Sequence, residues 1–215
     1  PAAELLEWLA NDLVTNGWKL KRVHKLMVTS RAYQLAGTAT ESAKKLDIDN
    51  KLWSHRPRRR LEAEAIRDNL LAVAGVLDTT MYGPGTLDQG MKRRSIYFQV
   101  QRSQLIPMLQ VFDWPDTLSS ATARSTTVVA PQALLFLNNP HVRSWANAFA
   151  LRLKPTAEKD PAAAVELAYR LAYSRPPTAK ERDEGVEFLK AGKLDKALQD
   201  YALVLMSLNE FIYVD

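Results

Sequence analysis

The segment with the most chemistry per residue is Phe112-Asp113-Trp114-Pro115-Asp116, followed at a short distance by Arg124-Ser125-Thr126-Thr127. Two carboxylates three residues apart on a turn can bind a cation or share general acid and base work. Trp114 between them offers a stacking platform for a sugar, and Arg124 a counter-charge. Asp113, Asp116 and Arg124 are therefore the candidate catalytic residues, with Trp114 as a candidate binding residue. The same residues have a structural reading. Asx motifs let Asp113 and Asp116 cap turns, and Arg124 then staples two loops. Carboxylate catalysis also demands a separation and a cleft that spacing alone does not define. In either reading a carboxylate flanked by Phe112, Trp114 and Pro115 needs a partner, because an unpaired buried charge costs several kcal/mol. Arginine suits best, since its planar fork meets a carboxylate with two hydrogen bonds. At least one of Asp113 and Asp116 is expected to pair with Arg124, Arg58, Arg59, Arg60, Arg93 or Arg94.

Other chemistries find little support. His24, His55 and His141 lack a second histidine or a carboxylate at metal-binding helical spacing, and no HExxH occurs. Phosphate-binding glycine loops and the GxSxG nucleophile turn are absent. The chain has no cysteine, which excludes disulfides, thiolate metal sites, cysteine nucleophiles and covalent haem attachment. No metal site and no cofactor are expected.

Charge is concentrated in one stretch. The 215 residues carry a net +5. Residues 19–60 hold twelve Lys and Arg against three acids, so the remainder is net −4. This run ends in His55-Arg56-Pro57-Arg58-Arg59-Arg60 and makes Arg58, Arg59 and Arg60 candidate binding residues for a polyanion. No RNP-like aromatic pair or zinc-finger spacing accompanies it, so nucleic acid is not the expected partner.

The elements that must position these residues read as helices. Leu5, Leu6, Leu9 and Leu13 form one stripe over 3–15, stopped by Asn16-Gly17. A second helix is expected over 19–34, with Trp18 anchoring the joint. Residues 36–58 read as loop. Ile66, Leu70, Val73 and Leu77 mark a helix over 61–78, central to the core and packed on the first two helices or the last, with Arg60 and Glu64 as i,i+4 partners. Residues 79–93 are a glycine-rich loop. Residues 94–100 are rich in β-formers and pair, if anywhere, with 105–111. After 131 the helix starts are explicit. Pro131 sits at N1, Asn139-Pro140 and Asp160-Pro161 are cap-plus-proline pairs, and Thr178 with Glu181 is a capping box. The last helix runs over 194–210. The expected fold is mostly α, an irregular bundle of about nine helices with at most a small β-hairpin. It is read as one domain over 1–215, with 131–215 as a helical sub-bundle. With 47% hydrophobic and 25% charged residues, the balance is that of a globular protein. No stretch approaches the roughly 18–20 apolar residues of a transmembrane helix.

Six segments together carry a family resemblance: ELLEWLANDLVTNGWKLKRVHKLMVTSRAYQ (4–34), DNKLWSHRPRRRLEAEAIRDNLLAVAG (49–75), RRSIYFQVQRS (93–103), FDWPD…RSTTVVAPQALLFLNN (112–139), AYRLAYSRPPTAKE (168–181) and LNEFIYVD (208–215). The chain resembles the planctomycete-specific C-terminal domain of unknown function, found with cytochrome-c-like and companion unknown domains. The resemblance implies an exported parent protein, at the periplasm or cell surface, with any haem on a neighbouring domain. It implies a chain that starts inside the usual domain and runs to its natural end at LNEFIYVD. It carries over no catalytic residue.

Three functions compete. The first is a non-catalytic helical module that docks or supports other domains of its parent. The second is a carbohydrate-active or redox-linked enzyme domain using Asp113, Asp116 and Arg124, with polysaccharide as ligand. The third is a polyanion binder through residues 19–60.

Overall fold

The computed structural model describes residues 3–115 and 123–214. The chain forms two compact units, one up to Arg59 and one spanning Arg60–Val214.

In the first unit α1 (Ala3–Thr15) turns into α2 (Leu20–Val28). Gly17 makes the turn at φ 70°, a left-handed conformation that glycine adopts without a Cβ clash. Trp18 follows at φ 60° and is 69% exposed, so it does not anchor the joint as expected. Arg22 does: its Nε and Nη2 donate to Asp12 Oδ2 and Oδ1 at 3.0 and 2.8 Å. Helix α2 stops at Val28, short of the expected 34. The hydroxyls of Thr29 and Ser30 bond back to the carbonyls of Lys25 and Met27, in local competition with the helix ladder. A short helix, α3 (Glu41–Leu46), replaces part of the expected loop, with its first turn capped by the Thr40 side chain.

The second unit is mostly helical: α4 (Ala63–Ala74), α5 (Pro107–Val111), α6 (Ala130–Asn138), α7 (Pro140–Ala157), α8 (Pro161–Tyr173), α9 (Ala179–Lys190), α10 (Leu194–Ser207) and α11 (Asn209–Ile212). Helix α7 is the hub. Val142, Trp145, Phe149 and Leu153 along it are buried, and α4, α8 and α10 pack around them. The stripe of α4 is buried as expected, with Ile66 and Leu70 fully enclosed. Within the second unit its main partner is α7, not the last helix. The helix is shorter than the expected 61–78. At its start the Leu61 N–H is committed to the Ile212 carbonyl at 2.7 Å. At its end Gly75, at φ 74°, turns back on the Ala72 carbonyl, the left-handed C-terminal stop.

The expected strand pair at 94–100 and 105–111 is corrected. Ser95–Tyr97 is a 3₁₀ turn and 107–111 is α5. The Ser95 N–H and hydroxyl both donate to Asp68 Oδ1 at 2.7 Å, which bends the segment toward α4. Pro107 stands at the first turn of α5, where its fixed φ favours a helix. The small amount of sheet lies elsewhere. β1 (Arg59–Arg60) and β2 (Tyr213–Val214) form an antiparallel pair between distant parts of the chain.

Candidate functional site

Of the residues singled out for chemistry, Arg60, Asp113, Trp114 and Arg124 gather where α4 begins, α5 ends and the chain returns toward α6. Phe112 closes α5, and Asp113 follows in the left-handed region at φ 60°, a conformation that aspartate tolerates better than most residues. This turn aims the Asp113 carboxylate at Arg60. Arg60 Nη2 donates to Asp113 Oδ2 at 2.7 Å and to the Phe112 carbonyl at 3.3 Å. Its Nη1 donates to the Thr127 carbonyl at 2.8 Å. The Phe112 ring lies 5.6 Å from the guanidinium carbon. Thr127 completes the carboxylate shell, with its N–H on Oδ2 and its hydroxyl on Oδ1, both at 2.8 Å. The Arg60 side chain is 3% exposed and that of Asp113 14%. Burial pulls the Asp113 carboxyl upward. The hydrogen bonds from Thr127 and Arg60 outweigh it, so the group sits below the ordinary carboxylate value.

Beside this clasp lies a second one. Arg124 Nη1 and Nη2 meet Glu64 Oε2 and Oε1 at 2.7 and 2.9 Å, and Trp114 Nε1 donates to Glu64 Oε1 at 3.0 Å. Burial raises the Glu64 carboxyl, but Arg124 and Trp114 bring it below its usual range. Trp114 is partly buried against the core and spends its polar edge on Glu64. Gln132, buried in the first turn of α6, ties the return segment down. Its amide donates to the carbonyls of Val111 and Thr127, each at 3.1 Å.

Asp113 and Arg60 thus meet as an arginine–carboxylate pair, and Arg124 staples two segments. The expected Arg60–Glu64 contact is not formed. Arg60 lies in β1, before the helix starts, so helical spacing does not apply to it. Arg58 and Arg59 are exposed in the first unit, and Asp116 lies outside the described residues. His24 is exposed on α2, His55 lies beside Ser54, and His141 stacks on Trp145 at 6.0 Å. Among the described residues, no three His, Asp or Glu side chains are placed to hold a metal ion.

One organising residue went unnoticed in the sequence. Arg67 is 1% exposed. Its Nη1 donates to the Arg93 carbonyl at 3.0 Å and to Ser95 Oγ at 3.2 Å, and its Nη2 donates to the Met91 carbonyl. The rings of Phe98 and Trp145 flank the guanidinium at 4.7 and 5.7 Å. Burial pulls its pKa down to about 10. The signal was present. Arg67 lies one turn after Ala63 and three residues before Leu70, inside the apolar stripe.

No curated protein and no solved structure matches the chain. A family profile matches residues 2–189, which takes in both clasps and Arg67. By that match the chain belongs to the PSD1 family, described as "Protein of unknown function (DUF1553)".

Proposed function

We propose that this chain is a non-catalytic helical module of an exported, cytochrome-associated multidomain protein of planctomycete type, and that it supports assembly or partner docking. The observation that carries the reading is the nearly filled hydrogen-bond shell around Asp113. A general base needs a free lone pair facing substrate and a pKa near the working pH. Asp113 already accepts three hydrogen bonds from Thr127 and Arg60, which take up most of its acceptor capacity, and its pKa is held low. Glu64 is likewise engaged by Arg124 and Trp114. Carboxylates engaged in this way suit the holding of segments together, which supports the non-catalytic reading. Export and the cytochrome-like neighbour follow from the family resemblance, and on this reading haem resides in that neighbour.

The test is deletion of residues 1–215 from the parent protein. Partner assembly, read by light scattering after size exclusion, is expected to be lost, while chemistry at the neighbouring domains persists in isolation. Unchanged assembly and activity would sink the proposal.

A further inference from the structure

The groove between α7 and α10 holds hydrogen-bonding groups that the fold leaves unused. Asn147 on α7 and Gln199 on α10 both line two adjoining cavities of about 170 and 90 Å³. Neither side-chain amide has a protein hydrogen-bond partner among the described residues; Gln199 is half-buried and Asn147 is exposed at the mouth of the groove. Arg143 lines the smaller cavity. Its Nε is fixed on the Leu137 carbonyl at 3.2 Å. That bond steadies the fork and leaves both terminal nitrogens without an acceptor among the described residues. The other two cations of the groove are neutralised: Lys196 by Asp200 and Lys154 by Asp195, each at 2.7 Å. Arg143 therefore supplies the uncompensated charge. In the larger cavity Leu151, 69% exposed, stands beside the buried Ala150 and Leu198.

The geometry points to a docking groove for an extended peptide segment that carries an acidic residue. A primary amide offers one acceptor and two donors in a plane, which matches the C=O and N–H of a peptide unit. Two such amides facing one groove suit a main chain lying along it, the mode in which backbone hydrogen bonds give affinity and side-chain pockets give specificity. The acidic side chain pairs end-on with Arg143, and an apolar side chain covers Leu151. From Arg143 to Lys154 the helix rises about 16 Å, which an extended segment of about five residues spans. This inference rests on the docking reading above and names the chemistry of the docked partner.

The test is a ¹⁵N-HSQC titration of the full chain with the blocked pentapeptide acetyl-Ala-Glu-Ala-Leu-Ala-amide. Shifts confined to amides of α7 and α10 are expected. They should weaken about tenfold when glutamine replaces the peptide's glutamate, and again in Arg143→Gln. They should vanish in Asn147→Ala/Gln199→Ala, whose circular dichroism should match that of the parent sequence. No shifts at 10 mM peptide (about this concentration is a generous ceiling for a weak peptide site), or shifts elsewhere, would overturn the inference. So would identical shifts from acetate alone, which would mean that the groove reads only a carboxylate. In the multidomain parent, groove variants that keep assembly while the deletion loses it would defeat the groove and leave the docking reading standing. A deletion without effect would defeat that reading instead.

Discussion

Arg60 and Asp113, 53 residues apart, meet through a 2.7 Å hydrogen bond in a nearly closed site. Breaking such a pair leaves a buried cation without its counter-charge, which costs about 3–5 kcal/mol. Asp113→Asn isolates the charge, because asparagine accepts the left-handed backbone that this position requires. We expect that loss in urea unfolding at neutral pH. A change below about 1 kcal/mol would mean that Arg60 finds compensation from the Phe112 and Thr127 carbonyls alone.

Arg67 sets the path of residues 91–95 through two carbonyls and the Ser95 hydroxyl. Arg67→Lys keeps the charge and loses the planar fork. It should destabilise the protein by about 2–4 kcal/mol and speed amide exchange across 78–98. Exchange that stays at the parent rate would show that the loop holds its course without the fork.

Leu70 is fully enclosed between α4 and its neighbours. Leu70→Ala should cost about 2–5 kcal/mol, the range for a buried leucine whose cavity does not collapse. A loss under about 1 kcal/mol would place α4 at the periphery.

Gly185 in α9 touches α8 and α10 closely. A Cβ there would stand 2.6 Å from the Tyr201 hydroxyl oxygen and 2.9 and 3.1 Å from the Val165 methyls. Gly185→Ala should therefore destabilise by about 1–3 kcal/mol, despite the gain in helix propensity. Among the described residues the buried Tyr201 hydroxyl has no partner, so Tyr201→Phe alone should be neutral or stabilising. The double variant should recover part of the loss. Strict additivity of the two changes would rule out the contact as the cause.

Glu181 gives the acid response a defined window. The Arg175 fork, with bonds of 2.8 and 2.9 Å, and the Thr178 cap lower its pKa to about 2. Because the folded value lies below the unfolded one, its stabilisation is fully present above about pH 4.5 and disappears as pH falls toward 2. Glu181→Gln should flatten the stability-versus-pH curve in that interval and leave its shape above pH 6 unchanged. A curve as steep as the parent's would assign the acid response to other carboxylates.

The helix starts after residue 130 were set by the sequence alone. Asn139-Pro140, Asp160-Pro161 and Thr178 with Glu181 each place a cap within four residues of the backbone N–H groups that it serves. No distant contact is needed to satisfy such a donor, so the helix begins where the local signal stands. The apolar stripe of α4 was legible for the same reason, since its period is internal to one element. That Asp113 needs an arginine also followed from its flanking residues. Which arginine it finds did not. Arg60 outcompetes nearer Arg124 because β1 pairs with β2 at the far end of the chain and sets Arg60 against the end of α5, while Arg124 is drawn to Glu64. Within the β-rich residues 94–100, Ser95–Tyr97 form a 3₁₀ turn because Asp68 and Arg67, on a neighbouring helix, offer better partners than a strand would. Long-range pairing depends on which elements the core brings together, and that packing is decided only once the whole second unit has closed around α7.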